Sequence, residues 1–597
     1  MFSGNSAVGR QMTAQGQRRA SEWDMAIFLQ LRPVVSFQSF RKAVRDRKVA
    51  GLTCLLAISS GFGGLLPETA HAQTPVAAVA GSLQSCDMMA QMDLAGLAGG
   101  KAPTKVLWAK TIGASSLDDD DAERLYRESR VLSAPADKPD IPAHCLLKGY
   151  VNPNIQFELR LPEQEKWNGK FLYVACNGFC GRVDKFAVLA GLQRNYATMT
   201  TDGGHHGGAS FDGLWALNNM QARVDFGYRA THLAALSAKA MIEIYYQKGP
   251  KYSYISGCSK GGQAGVMEAQ RYPNDFDGVI ARGPTIDYTG VNILHCGKNA
   301  RAVYNGDGSL NIDVSKHELI KNAVMAYCDP KDGLKDGLIS DPRKCDFDPA
   351  MLSCKAGQSG NSCLTARQVR ALRKIYSPVR NKAGGVIYPG TSLGSEAGWK
   401  TWILPVNEDH KVLAWRAASG YLRQIAFEQA PSSDFDWYNF DAEANQDELI
   451  AVSHLMDVDS PDFSAFRDAG GKMIVLHGWS DEAIPATASV RWYDGVSAFM
   501  GGRDKVSEFA RLFLLPGVQH CGSDGVGPST FDALAALENW VEKGIAPDQI
   551  ITTKEGKAQD AGRQRPVFPY PFEAKYTGRG SLKKAQNFVA FDPRAAD

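Results

Sequence analysis

The chain has 597 residues, 44% hydrophobic and 22% charged, with 59 Gly and 28 Pro, proportions that exclude collagen, coiled coil and wholesale disorder. Its 66 Lys and Arg against 64 Asp and Glu leave a formal charge of +2, too balanced for a nucleic-acid or anionic-lipid footprint, so no nucleic-acid partner is expected. The length calls for one large α/β domain carrying an insertion, or for two to four units.

At the N-terminus, Arg41, Lys42, Arg45, Arg47 and Lys48 precede a mostly apolar run from Val49 to Leu66, and Ala70-His71-Ala72 supplies a small-x-small cleavage site before Gln73. Residues 1–72 are read as an N-terminal extension and signal peptide, with Met25 as another candidate start. Ser59, Ser60, Gly61, Gly63 and Gly64 dilute the run, which argues against a membrane anchor. The mature chain is expected in a secreted or periplasmic setting, with no membrane partner after cleavage. Of twelve cysteines Cys54 leaves with the signal, and the odd remainder implies at least one free thiol.

From Gln73 to Asp140 the sequence reads as loose, with no function expected. Short apolar runs then follow at Phe157 to Leu161, Gly169 to Val174, Tyr196 to Thr200 and Tyr254 to Gly257, interleaved with helical stretches such as Ala234 to Tyr246. Strands alternating with helices predict an α/β fold with a mostly parallel sheet covered on both faces. After Asp287 the character changes to acidic turns, a small Cys354 to Cys363 loop and aromatic-rich stretches, which reads as an insertion. Strand patterns resume at Lys472 to Leu476 and Arg511 to Leu515, followed by a helix over Asp532 to Lys543. The expected division is 73–286 as the first part of the core, 287–464 as an inserted lid domain and 465–597 as the second part.

The stretch Gly257-Cys258-Ser259-Lys260-Gly261-Gly262 places G-x-S-x-G directly after an apolar strand and directly before helix-forming residues. That context defines a nucleophile elbow, where a sharp strand-to-helix turn strains the central residue and lifts the Ser259 hydroxyl above the sheet. A serine near neutral pH needs a base, and the base needs an acid to hold its tautomer. In this chain order the acid precedes the histidine, and the two later strand exits supply Asp481 and then His520. His477, His205 and His206 are rival bases, and Glu482 is a rival acid. Cys258 precedes the serine and Cys521 follows the histidine, so contact between Ser259 and His520 would bring the two sulfurs within bridging range. By the chain-entropy account such a bridge contributes up to about 5 kcal/mol. Lys260, the residue after the nucleophile, is expected to give one backbone N–H to the oxyanion hole.

Asp329-Pro330-Lys331-Asp332-Gly333-Leu334-Lys335-Asp336-Gly337-Leu338 presents three carboxylates between Gly turns. Oxygen-only ligands at close spacing suit calcium; the alternative is a solvated acidic turn.

The paired Cys258-Ser259 and His520-Cys521, with Thr201-Asp202-Gly203-Gly204-His205, Asp225-Phe226-Gly227-Tyr228 and the His477 to Asp481 run, resemble the tannase and feruloyl esterase family of α/β hydrolases, which includes mono(2-hydroxyethyl) terephthalate hydrolases. The resemblance implies an α/β-hydrolase core with a lid, a Ser259, Asp481 and His520 triad, and a Cys258–Cys521 bridge. It places the second oxyanion donor at Gly178, in a loop that departs from the family pattern by carrying Cys176 and Cys180, whose pairing with each other or with Cys296 stays open. It also implies a structural Ca2+ in the lid, held by the side chains of Asp329, Asp332 and Asp336 and the carbonyls of Leu334 and Leu338. Further pairs implied are Cys86 with Cys145, Cys328 with Cys345 and Cys354 with Cys363. Phe568 and Phe591 stand where some relatives have a C-terminal bridge, so none is expected there. Terephthalate-type relatives use a lid arginine, where this chain has Ala417 beside Arg416 and Arg423. The resulting expectation is a secreted serine esterase acting on small aromatic esters. The alternatives are a terephthalate monoester hydrolase, an acyltransferase, or a non-catalytic calcium-dependent binding protein.

Overall fold

The computed structural model describes residues 85–118, 120–121, 140–207, 210–522, 525–555 and 560–596; the signal-peptide expectation lies outside them. The elements below all belong to one contact unit, Pro75–Asn381 with Val386–Asp597.

Nine strands build the central sheet. In chain order they are β1 (Thr104–Ile112), β2 (His144–Val151), β3 (Ile155–Pro162), β4 (Lys170–Val174), β5 (Ala197–Thr201), β6 (Tyr252–Cys258), β7 (Gly278–Arg282), β8 (Lys472–Gly478) and β9 (Ala510–Leu515). Across the sheet they run β1-β2-β3-β5-β4-β6-β7-β8-β9. The pairings from β1 to β5 are antiparallel, and every pairing from β5 to β9 is parallel. The mostly parallel sheet with helices on both faces is the α/β-hydrolase architecture.

The parallel strands are buried at nearly every position, as a sheet covered on both faces requires. Phe171 and Tyr173 of β4, with Met473 and Val475 of β8, face one core. Helices α1 (Ala230–Tyr246) and α2 (Lys260–Arg271) pack there. Leu172, Val174, Ile474 and Leu476, one residue out of step, face a second core completed by Leu534, Leu537 and Trp540.

Between β7 and β8, which pair side by side, the chain leaves the sheet for nearly two hundred residues. This excursion carries helices α3 (His317–Cys328), α4 (Ala366–Tyr376), α5 (Leu413–Gly420) and α6 (Gln446–Met456), and its own apolar core around Trp399, Tyr421 and Leu422. Phe179, Phe226 and Tyr288 join that core, so it rests on the end of the sheet where the strands exit. Helices α7 (Ala486–Phe499) and α8 (Ala533–Lys543) follow β8 and β9 respectively.

The expectation of a loose segment from Gln73 to Asp140 is corrected by β1. It is an edge strand held by one neighbour, so Leu107 and Trp108 stay exposed and its apolar pattern is weak. The pairing left open for Cys176 is settled: Cys176 bonds Cys180, and Cys296 is a buried free thiol. Bridges also join Cys86 to Cys145, Cys328 to Cys345, Cys354 to Cys363 and Cys258 to Cys521.

Candidate active site

Strand β6 ends at Cys258 and helix α2 begins at Lys260, so Ser259 alone makes the turn, at φ 56 and ψ −118. A side chain held in this sparsely populated region signals stored strain at a site that over-determines it. The close flanks explain the glycines: a Cβ on Gly257 would lie 2.3 Å from the Gly261 carbonyl carbon, and one on Gly261 would lie 2.9 Å from the Ala175 oxygen. Ser259 N–H donates to the Arg282 carbonyl at 2.9 Å, anchoring the turn to the end of β7.

His520 follows β9 in a short turn. Its Nδ1–H donates to Asp481 Oδ2 at 2.8 Å. The Cys258–Cys521 bridge, with Cα atoms 5.6 Å apart, joins the residue before Ser259 to the residue after His520. Gly283 supplies a second fix. A Cβ there would sit 3.2 Å from Asp481 Oδ2 and 3.4 Å from His520 Nδ1, while its neighbour Arg282 holds the Ser259 amide. Serine, histidine and aspartate thus arrive from the exits of β6, β9 and β8 at one place.

Asp481 is fully buried. Its Oδ1 accepts the amides of Ala483 at 2.9 Å and Ile484 at 2.8 Å. Burial works against its charge, yet His520, helped by His477, holds the carboxyl well below the usual range. Burial likewise opposes an imidazolium at His520, but the Asp481 charge prevails and lifts this histidine above 6.5. The rival acid is differently employed: Glu482 Oε2 accepts the backbone N–H of His520 at 3.3 Å, and burial, then the Asp481 charge, push its carboxyl up to about 7.

Of the rival bases, His477 and His205 are buried with partners of their own, and His206 is exposed. His477 lies between the Ser489 hydroxyl at 2.8 Å and the Ile484 carbonyl at 2.9 Å, with its Nε2 also 3.2 Å from Asp481 Oδ2 on the side away from Ser489. His205 donates to the Phe179 carbonyl at 2.7 Å and stacks on Trp215, and burial holds it down to about 4.

Lys260 N–H opens α2 and has no intrahelical acceptor by position. Gly178, at φ 62, lies in the loop after β4; a Cβ there would press within 2.8 Å of the Ser210 carbonyl. The side chain of Lys260 was no part of the sequence reasoning. It is buried, donates to Gln263 Oε1 at 2.7 Å and lies over the Phe226 ring, and burial brings its ammonium down to about 7. Gly283 and Tyr288, whose hydroxyl donates to the Gly178 carbonyl at 2.9 Å, also have no place in the sequence reading, where Glu482 stands only as a rival acid and not as the acceptor of the His520 N–H. Each acts across a long stretch of chain, with no local signal.

The acidic loop lies apart. Asp329 accepts the amides of Asp336 and Gly337 at 3.0 Å each, and Asp332 those of Leu334 and Ser340 at 3.0 Å each. Asp336 accepts from Leu338 N–H at 3.2 Å, and its other oxygen takes Arg563 at 2.8 Å together with Arg565. Burial, with a contribution from the Asp336 charge, raises Asp332. Left-handed Gly333 and Gly337 turn the chain between the carboxylates. Carboxylates and backbone carbonyls are an all-oxygen donor set of the kind a hard cation takes, although the carboxylate oxygens of Asp329, Asp332 and Asp336 do not all lie within 4.8 Å of one another.

Sheet topology, strand-to-helix turn and converging side chains define an esterase of the α/β-hydrolase type. The model of the family described as tannase and feruloyl esterase matches residues 143–591, and the chain belongs to that family. It is 33% identical over 505 residues to an uncharacterized esterase of Xanthomonas campestris, spanning 76% of this chain and 86% of the relative. It is 32% identical over 537 residues to a mono(2-hydroxyethyl) terephthalate hydrolase of Piscinibacter sakaiensis, spanning 77% and 87%. Feruloyl esterase B of Aspergillus oryzae shares the fold, with a TM-score of 0.71 at 24% identity over 85% of this chain and 99% of that one. The protein is a carboxylic ester hydrolase.

Proposed function

We propose that the protein is an exported serine esterase that cleaves esters of aromatic acids through an acyl-enzyme. Ser259 Oγ attacks the ester carbonyl while His520 Nε2 takes its proton. Asp481 keeps the other imidazole proton on Nδ1 and stabilises the imidazolium. The N–H groups of Lys260 and Gly178 receive the oxyanion of each tetrahedral intermediate. His520 then passes its proton to the leaving alcohol, and a water activated by the same imidazole releases the acid. The carrying observation is the Cys258–Cys521 bridge together with the His520–Asp481 hydrogen bond, which leave the imidazole held beside the elbow serine.

An aromatic acyl group is supported by the rings next to the base. Trp402 meets His520 edge-on at 5.8 Å, Phe211 meets Trp402 at 6.0 Å, and Phe179 meets Phe211 at 5.2 Å. We read residues 287–464 as the lid that covers this group. Ala417 is buried, whereas Arg416 and Arg423 are exposed, which disfavours a second carboxylate bound from that stretch. Methyl gallate, methyl ferulate and a terephthalate monoester are the discriminating substrates. The expected result is kcat/KM for gallate or ferulate at least about tenfold above the terephthalate ester, with free acid as product. Preference for the terephthalate ester, or ester exchange in place of hydrolysis, would overturn the assignment.

Export is supported by five disulfides among the described residues, a density that belongs to oxidising compartments. A calcium ion would be held by the Asp329, Asp332 and Asp336 carboxylates and the Leu334 and Leu338 carbonyls, as structural cross-linking. Asp336 also grips Arg563 and Arg565, so losing the ion would loosen the C-terminal strands as well as the loop. Saturating chelator is expected to lower Tm by at least about 3 °C. An unchanged Tm in a calcium-depleted sample would remove the ion from the account.

A further inference from the structure

We propose that the Cys176–Cys180 disulfide is a positioning clamp for the oxyanion-binding Gly178 N–H. The proposal rests on the serine-esterase reading above.

The bridge joins residues only four apart, with Cα atoms 5.4 Å from each other, and closes a ring around Asn177, Gly178 and Phe179. This ring needs closure because its backbone is unfavourable. Gly178 (φ 62) and Cys180 (φ 55) both sit in the left-handed region, and for the cysteine that conformation is costly without external restraint. The flanks are tied by hydrogen bonds: Ala175 N–H to the Ser256 carbonyl at 2.9 Å on one side, Gly181 N–H to the Asp202 carbonyl at 2.8 Å on the other. Phe179 N–H is tied to the Ser210 carbonyl at 2.9 Å. The peptide between Asn177 and Gly178 is tied within the ring itself, its Asn177 carbonyl accepting the Cys180 N–H at 2.9 Å. Asn177 is exposed, and among the described residues the Gly178 N–H has no protein acceptor.

The clamp touches the nucleophile's own support. A Cβ on Gly261, in the first turn of α2, would lie 3.0 Å from the Cys176 carbonyl oxygen, so the loop leans on the turn that carries the Lys260 N–H. On the other side the disulfide fills the space above Gly203, where a Cβ would meet Cys180 Cβ at 2.9 Å and Cys176 Sγ at 3.2 Å. The bridge therefore sets the spacing between the two N–H donors, one on each side of this contact. Donors to a developing oxyanion contribute most when they need no rearrangement at the moment of reaction. A bridge that removes alternative loop conformations provides that pre-organisation without touching substrate. Cys176 and Cys180 are positioning residues, and their effect belongs to the transition state.

The test compares wild type with the Cys176→Ala/Cys180→Ala double variant on methyl ferulate or methyl gallate, whichever the wild type turns over. It also measures the affinity of phenylboronic acid, which forms a tetrahedral adduct on a nucleophilic serine. The expected result is a fall in kcat of about 10- to 100-fold, part of the loss that removing one donor causes. KM should stay within about threefold, and boronate affinity should weaken in step with kcat/KM. The Cys354→Ala/Cys363→Ala variant, which opens a lid loop away from the site, should keep wild-type kcat. A folded double variant with kcat and boronate affinity within about twofold of wild type would overturn the proposal, as would a rise in KM alone. If the double variant does not fold, graded reduction of the wild-type protein with a phosphine, with the open bridge mapped by alkylation and mass spectrometry, takes its place. Turnover should fall as Cys176–Cys180 opens; full turnover with that bridge open would refute the clamp. Failure of the serine-esterase reading is separately visible, because the wild type would then form no boronate adduct at Ser259.

Discussion

Ser259→Ala should reduce kcat by roughly a millionfold while leaving the fold and Tm in place. Among the described residues the side-chain oxygen caps no helix; the turn is held through the Ser259 backbone, whose N–H donates to Arg282 and whose carbonyl accepts from Thr285. Alanine keeps those bonds and removes only the nucleophile, so activity and stability should separate cleanly. Circular dichroism and thermal melting check the second half, and steady-state turnover of the preferred ester checks the first. A variant retaining more than about one hundredth of wild-type kcat would mean that another group attacks the ester.

Asp481→Asn should lower kcat about ten-thousandfold and also change the shape of the pH profile. The asparagine oxygen can still accept the Ala483 and Ile484 amides, which turns its NH2 group toward His520. The imidazole must then present Nδ1 as acceptor and carry its proton on Nε2, so the nitrogen needed by Ser259 has no free lone pair. The carboxylate also raises His520 in the wild type, and only the neutral imidazole can act as base. Wild-type kcat/KM should therefore rise with pH along a limb centred above 6.5, and in Asp481→Asn that limb should move to lower pH. Glu482→Gln provides the contrast. Its amide oxygen still accepts the His520 backbone N–H, so kcat should stay within about tenfold of wild type. Equal losses in the two variants, or a limb that stays put in Asp481→Asn, would contradict the role given to Asp481.

The parts of the molecule legible in the sequence were those whose signal is local. Tyr254 to Gly257 reads as a buried strand because Tyr254 and Ile255 put one apolar side chain on each face of β6, and the turn beyond it needs glycines that stand next to the serine. The runs at Lys472 and Arg511 likewise became β8 and β9 with bounds only slightly extended. Strand β7 escaped because Gly278–Arg282 is five residues long, starts with glycine and ends with arginine, and its burial comes from neighbours on both sides. Strand β1 escaped because half its side chains face outward from a sheet edge.

The same division runs through the site. Ser259, Asp481 and His520 stand at strand exits, where chain order and turn residues carry information. Glu482 and Trp402 acquire their relation to His520 only through tertiary packing, Trp402 from within the long excursion between β7 and β8. The cysteines beside the serine and histidine were informative as a pair, whereas Cys176, Cys180 and Cys296 allowed several pairings until the loop geometry selected one. Nothing in the sequence pattern signalled that the Lys260 ammonium is buried, since a lysine at the start of a helix is ordinarily solvated.

The central claim is that Ser259 is the activated nucleophile, and covalent labelling tests it most directly. A fluorophosphonate probe, followed by proteolysis and mass spectrometry, should place one adduct per chain on the peptide containing Ser259, with labelling lost in His520→Ala. An unlabelled protein that still hydrolyses esters, or an adduct on a different serine, would contradict the account.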